Sequence, residues 1–171
     1  MEADEASRVF KDELEWTLNA DDFQNICAQF GRPTIDLFAS RLNFQVQPFC
    51  AYHPDPLASV IDAFTFPWTN GLGYAFPPFC LLGRILQKVL RDKADIILIV
   101  PDWPTKAWYP LFKRLLILDA ICIPVMNDTL FLPHRVRDPT SEEETHTQEE
   151  IFHHPMSGQL RLLVGRLSGN V

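Results

Sequence analysis

The spacing of apolar residues predicts the elements of this chain before any other property is considered. Phe23, Ile26, Cys27 and Phe30 recur at i, i+3, i+4 and i+7, which predicts a helix from about Asn19 with Asp21 and Asp22 in its first turn. Gly31 and Pro33 end it, and Thr34–Ala39 (TIDLFA) reads as a short buried strand bounded by turn residues. Residues 43–74 are irregular, broken by Pro48, Pro54, Pro56, Pro67 and the pair Asn70-Gly71, with Val60–Phe64 as an extended piece that joins the sheet. Pro77 and Pro78 open a helix over Phe79–Lys93, with Leu82, Ile85, Leu86 and Val89 as its apolar face and Arg84, Lys88 and Arg91 along another. Ile96–Val100 (IILIV) is a continuous β-branched and leucine run, the pattern of a parallel strand covered on both faces. A second helix is expected over Thr105–Leu116, with Trp108, Leu111, Phe112 and Leu115 inward and Pro110 in its first turn or at a kink. Short strands follow at Ala120–Val125 and Thr129–Leu132.

Strand and helix signals that alternate in this way favour a parallel α/β sheet. Ligands of such sheets bind beyond the carboxyl ends of the strands. Three segments are therefore expected to line a site: Asp36–Ser40, Tyr74–Phe79 and Pro101–Trp108.

Composition then sets the boundaries. The chain has 171 residues, enough for one domain with a core, and 47% of them are apolar and 22% charged. No apolar run approaches the roughly 18 residues of a membrane span, and the acidic N-terminus is unlike a signal peptide, so an intracellular protein, cytoplasmic or nuclear, is expected. The net charge of −7 is unevenly placed. Residues 1–22 and residues 138–150 each carry a balance of −6, while residues 23–137 carry +3. A mildly basic body between acidic flanks permits contact with DNA or RNA. The expected organisation is a leader (1–18), an α/β domain (19–135), an acidic disordered linker (136–152) and a tail (153–171) that begins the next module, unless its amphipathic segment Gln159–Leu167 docks on the domain. Cys27, Cys50, Cys80 and Cys122 stand apart with no CxxC pair and read as buried free thiols. His153-His154 lacks partners at ligand spacing, so no metal site is expected. No GxSxG or phosphate-loop motif is present, which leaves a serine hydrolase or an NTPase without support.

Each candidate constellation has a chemical and a purely structural reading. In Asp36–Ser40 (DLFAS), an acid followed by small residues at a strand end suits a nucleoside-bearing cofactor; alternatively, Asp36 caps the next turn. The double proline of Ala75–Phe79 (AFPPF) fixes an extended strap that can present a ring for stacking on a base; alternatively, it is a helix entry with its rings in the core. Pro101–Pro110 (PDWPTKAWYP) places Asp102, Trp103, Lys106 and Trp108 directly after the central strand, a composition suited to a binding edge or to core aromatics with a surface lysine.

Four motifs in order carry a family resemblance: IDLFASRLNFQ, PDPLASVIDAFTFPW, YAFPPFCLLGRILQKV and IILIVPDWPTKAWYPLF. Together they resemble the segment downstream of reverse transcriptase and ribonuclease H in DIRS-type, tyrosine-recombinase retrotransposons. The likeness covers residues 14–135 and resumes weakly at HHPMSGQLRLLVGRLSG. Ala3–Arg8 resembles the ADxxSR end of a retroelement ribonuclease H, in which Asp4 is a metal-binding carboxylate; one carboxylate cannot hold two metals, so no ribonuclease activity is expected from it. In those elements the segment is similar to phage Dam-type adenine-N6 methyltransferases. The resemblance implies a Rossmann-like, methyltransferase-type sheet with flanking helices, S-adenosylmethionine as cofactor, DNA as substrate, and the other polyprotein domains as partners.

Carried over residue by residue, Asp36, with Phe38, Ala39 and Ser40, matches the cofactor-binding strand end. Phe76-Pro77-Pro78-Phe79 matches the catalytic Asn-Pro-Pro-Tyr motif, with Phe79 as the ring that stacks on a flipped adenine. Trp108 matches the Trp that follows the later strand, and with Asp102, Trp103 and Lys106 it forms the expected substrate edge. The departure is Phe76: a phenyl ring stands where the family's Asn or Asp accepts hydrogen bonds from the adenine amino group. Loss of one preorganised polar group costs on the order of 10²–10³ in rate. The expectation is a degenerate methyltransferase-like domain. The alternatives are a non-catalytic connector between polymerase and recombinase, or an active enzyme with an altered acceptor supplied by Asp62 or Asp102.

Overall fold

The computed structural model describes residues 16–52, 54–126, 128–131 and 158–170. The chain enters through a two-residue strand, β1 (Thr17–Leu18), paired antiparallel with β8 (Leu130–Phe131). Helix α1 (Ala20–Phe30) begins where the Asn19 side chain accepts the Asp22 backbone N–H at 2.7 Å, satisfying one of the free donors of the first turn. It ends at Gly31, whose φ of 99° requires glycine. Phe23, Ile26 and Phe30 are its buried face, as their spacing predicts.

After α1 come β2 (Ile35–Asp36), β3 (Cys50–Ala51), β4 (Val60–Ile61) and β5 (Leu72–Ala75). A 3-10 turn over Phe79–Leu81 leads into α2 (Leu82–Asp92), which is closed by Lys93 in the left-handed conformation. Leu82, Ile85, Leu86 and Val89 are wholly buried, the apolar face expected from sequence. Strand β6 (Asp95–Pro101) is the centre of the core, with Ile96 to Val100 all at zero exposure. Helix α3 (Tyr109–Leu115) starts later than its periodicity suggests, because Pro110 is accommodated in the first turn, where no N–H is needed. Strands β7 (Ile121–Pro124) and β9 (Arg161–Ser168) complete the sheet.

The main sheet has the order β2-β5-β6-β9-β7. Strands β2, β5 and β6 run parallel, whereas β9 is antiparallel to both β6 and β7. The sheet is therefore mixed, not wholly parallel as the alternation of elements suggested. A parallel ribbon of β3 and β4 continues the β2 edge through the bridge Asp36–Phe49, with Asp36 N donating to Pro48 O and Ala39 N to Cys50 O. The full lateral succession is β4-β3-β2-β5-β6-β9-β7.

The expected domain limits change at both ends. Trp16 and Leu18, assigned to the leader, are buried at 7% and 1% exposure. Of the two expectations for the tail, docking holds and the next-module reading does not: it supplies β9 between two strands of the sheet, in register from Asp95–Ser168 to Pro101–Leu162. An acidic run invites a domain boundary, but the closure entropy of a long connection rises only about 0.6 kcal/mol per doubling of its length, so it need not be one. Gly165 lets α3 lie directly on β9: an added Cβ would stand 2.5 Å from Leu116 Cδ2 and 2.8 Å from Phe112 Cζ. All four cysteines are free, but only Cys50 is buried, whereas Cys80 and Cys122 are exposed. Residues 1–15, the acidic segment 136–152 and His153-His154 lie outside the described residues.

Candidate functional site

Because β2, β5 and β6 are adjacent and parallel, their carboxyl ends open onto one edge of the sheet. The segments that leave them are Leu37–Ser40, Phe76–Phe79 and Asp102–Trp108, so the three stretches singled out in the sequence do meet at one edge. The chain leaves β2 toward β3 and β4 on one side and then crosses to β5 on the other. Strand order reverses between β2 and β5, and this switch point is where open α/β sheets hold ligands.

Asp36 lies at the switch point, level with Tyr74 in the β2–β5 register, and is 1% exposed. Its two carboxylate oxygens accept backbone N–H groups: Oδ2 from Gln45 at 2.9 Å and Oδ1 from Phe38 at 3.4 Å. Burial pushes its pKa up to about 8, against the two N–H groups, which pull it down. At neutral pH it is thus mostly a neutral acid engaged with its own loop. Gln45 extends the tie, its Nε2 donating to Leu18 O at 2.8 Å. Phe38, Ala39 and Ser40 are half-buried, and Ser40 organises a turn in which its N–H donates to Asn43 Oδ1 at 2.7 Å.

Tyr74 opens a segment that the sequence marks as lining the site, but nothing in the sequence singles it out within that segment. It is 2% exposed, packs edge-on against Phe23 with ring centroids 5.2 Å apart, and its hydroxyl has no hydrogen-bond partner among the described residues. Burial, then the nearby Asp36 and Cys27, raise its pKa well above the usual tyrosine value. Cys50 is pushed up to about 11 by burial, then by Asp62 and Asp36. The interior at the switch point therefore gathers acids and weak acids, Asp36, Tyr74 and Cys50. No sequence periodicity marks Tyr74, since β5 is four residues long and carries a glycine.

The strap emerges from β5 on the other side of the switch point. Phe76 is half-buried and packs against the core, Pro77 is buried and Pro78 half-buried. Phe79 is 6% exposed and meets Trp103 edge-on with centroids 5.3 Å apart. Its ring is thus engaged within the protein, the structural reading of this motif. At the end of β6, Asp102 Oδ1 accepts the Tyr109 hydroxyl at 3.0 Å, and Lys106 Nζ lies 5.8 Å from the Trp103 ring centroid. Trp108 is half-buried and packs on Tyr109 and Phe112. Of the two alternative acceptors, Asp102 is held by Tyr109, and Asp62 accepts the Phe64 N–H at 3.0 Å as the cap of a 3-10 turn. Among the described residues, no group of three His, Cys, Asp or Glu could hold a metal ion, and no helix is long and apolar enough to cross a membrane.

The basic stripe on α2 also has a structural use. Arg84 lies 3.9 Å from the Phe64 ring centroid and Lys88 5.2 Å from that of Trp68. Phe38 packs edge-on against both of those rings. Lys88, itself 4% exposed, is paired at 2.7 Å with Asp92, which also accepts the Trp68 N–H at 3.1 Å. Burial raises the pKa of Asp92, but the Lys88 and Trp68 hydrogen bonds and the charges of Lys88 and Arg91 outweigh it and leave the pKa lowered. Two members of the stripe thus clamp the aromatic cluster that carries the β2 and β4 loops. Compared with known proteins, the chain matches no family model and no curated protein.

Proposed function

We propose that this chain is a piece of a retrotransposon polyprotein whose α/β domain is methyltransferase-like in fold and has lost methyl transfer. The observation that carries the reading is the sheet: parallel β4, β3, β2, β5, β6 and β7, with the reversed β9 threaded between β6 and β7. A reversed final strand inserted beside the last parallel one is the arrangement that sets methyltransferase-type sheets apart from other Rossmann-like ones, and it supports the resemblance in the four sequence motifs.

The loss of chemistry follows from the residues at the switch point. Adenine-N6 transfer needs an acceptor beside the strap that withdraws the amino protons and positions the nitrogen for attack on a methyl group. Phe76 supplies none. Asp62 and Asp102 are each committed to a neighbour. Asp36, the acid that matches the cofactor-binding position, is buried, mostly neutral and bonded to its own loop, so it offers a bound cofactor little counter-charge. S-adenosylmethionine is accordingly not expected to bind with useful affinity. The domain then serves as a folded module beside the polymerase.

Incubation with methyl-labelled S-adenosylmethionine and duplex DNA tests this. No label should enter adenine from the wild-type chain. Transfer by the wild type that Phe76→Ala abolishes would show that the strap is catalytic and that the domain is an active enzyme.

A further inference from the structure

The two helices α2 and α3 share one face of the sheet. Both are crossovers between parallel strands that step the same way across it, β5 to β6 and β6 to β7, and right-handed crossovers then fall on one side. Contacts agree: a Cβ on Gly165 would meet Phe112 and Leu116 of the α3 segment, and one on Gly169, four residues along, would meet the Val89 backbone of α2. Each helix starts at the carboxyl edge and ends at the opposite, amino edge. Their last turns therefore bring Arg91 and Lys93, and Lys113 and Arg114, to the same end of the sheet, all four exposed. Arg32, also exposed, stands at that end just before β2.

Among the described residues, little negative charge opposes them. The one acid within either helix, Asp92, has a side chain only 9% exposed and is turned to Lys88 and Trp68. Arg91 touches it loosely at 3.6 Å while its own side chain stays 70% exposed. Lys93, Lys113 and Arg114 have no ion pair among the described residues. Among the described residues, the other acids at this end are half-buried Asp95 and exposed Asp119. A cation at a helix C-terminus complements the dipole by about 0.3–1 kcal/mol, which accounts for one basic residue per helix but not for the second on each.

We infer that the amino edge of the α2–α3 layer is a sequence-independent binding surface for the phosphate backbone of DNA, remote from the ligand edge and independent of the methyltransferase reading. The chemistry favours phosphates over a protein partner. The exposed positions of the two helices are Gly83, Arg84, Gln87, Arg91, Pro110, Lys113 and Arg114, with none of the large apolar anchors on which protein interfaces are built. Phosphate contacts need only the cationic ends. The exposed Ile117 and Leu118 just past α3 are where a protein partner would anchor instead.

The test is fluorescence anisotropy of a labelled 20-base-pair duplex of arbitrary sequence with the full chain, at several salt concentrations. Four phosphate contacts give a slope of log K against log salt of about −3.6. Arg91→Gln with Lys113→Gln should reduce that slope by about two and weaken binding at 100 mM salt by tenfold or more. Lys93→Gln with Arg114→Gln should do the same, and melting curves of both pairs establish that the fold is kept. Arg41→Gln, an exposed cation at the carboxyl edge, and Leu118→Ser should leave binding unchanged. No anisotropy change at 50 mM salt, binding that survives both double substitutions in folded protein, or binding lost with Arg41→Gln or Leu118→Ser would each overturn the inference.

Discussion

Asp36→Asn should reverse its effect on stability between mildly acidic and mildly alkaline solution. In the folded protein the carboxyl titrates near 8, against 3.8 when unperturbed, because burial disfavours the charged form. A raised folded pKa means that the native state holds a proton which the unfolded chain has already released. Stability from this group is therefore complete below pH 4 and is lost as pH rises toward 8. From pH 5 to pH 8 the loss runs over about three pH units at about 1.4 kcal/mol each, or about 4 kcal/mol, a large part of the 5–15 kcal/mol typical of a domain. Asparagine cannot ionise. It keeps one oxygen for the Gln45 N–H and leaves the longer Phe38 contact without an acceptor, at a cost of about 1–3 kcal/mol. At pH 5 the variant should be the less stable protein, and at pH 8–9 the more stable one. Urea unfolding followed by the fluorescence of Trp16 and Trp68, both at or below 7% exposure, measures this at each pH. Titrations of other groups, including Asp92 with its opposite sign, cancel in the difference between the two proteins. Parallel stability curves from pH 5 to pH 9 would show that Asp36 is not buried as described and would remove the basis for its neutral state.

Other substitutions probe the sheet and the clamp. Gly165→Ala should cost about 1–3 kcal/mol in urea unfolding, because its Cβ would stand under 3 Å from the Phe112 ring and from Leu116 Cδ2, so that both must shift; an unchanged midpoint would mean that α3 does not lie on β9. Deletion of residues 158–171 removes the strand that both β6 and β7 pair with and should abolish cooperative melting. A truncated chain that melts like the intact one would return the tail to the next module. Asp92→Ala leaves the buried Lys88 ammonium unpaired and should cost about 3 kcal/mol, with Lys88→Met and Asp92→Ala combined costing less than the two single changes summed. An additive double variant would mean that the pair is not coupled.

Much of the core was legible in the sequence because it obeys local rules. The α1 face, the Asn19 start, the α2 face and the Ile96–Val100 strand follow from periodicity and capping alone. The meeting of Asp36–Ser40, Phe76–Phe79 and Asp102–Trp108 was legible too, since carboxyl ends of adjacent parallel strands must share an edge. What failed to show was decided by distant partners. Leu72–Ala75 is too short, and too closely followed by prolines, to announce a strand; β6 makes it one. Arg161–Ser168 lies beyond an acidic run and alternates poorly, because both of its faces are covered. The burial of Asp36, the unpartnered Tyr74 hydroxyl and the use of Arg84 and Lys88 against Phe64 and Trp68 depend on contacts spanning about 20 to 50 residues, which no window of sequence contains.

The most direct test of a methyltransferase-like fold without its chemistry is a thermal melt with and without millimolar S-adenosylmethionine. A retained site at a hundred times its Kd would add about 2.7 kcal/mol and raise the melting temperature by several degrees. One cooperative transition that the cofactor does not move is the result expected from a neutral, self-engaged Asp36. A rise of several degrees that Asp36→Ala abolishes would contradict the account, and would mean that the switch point still holds its ligand.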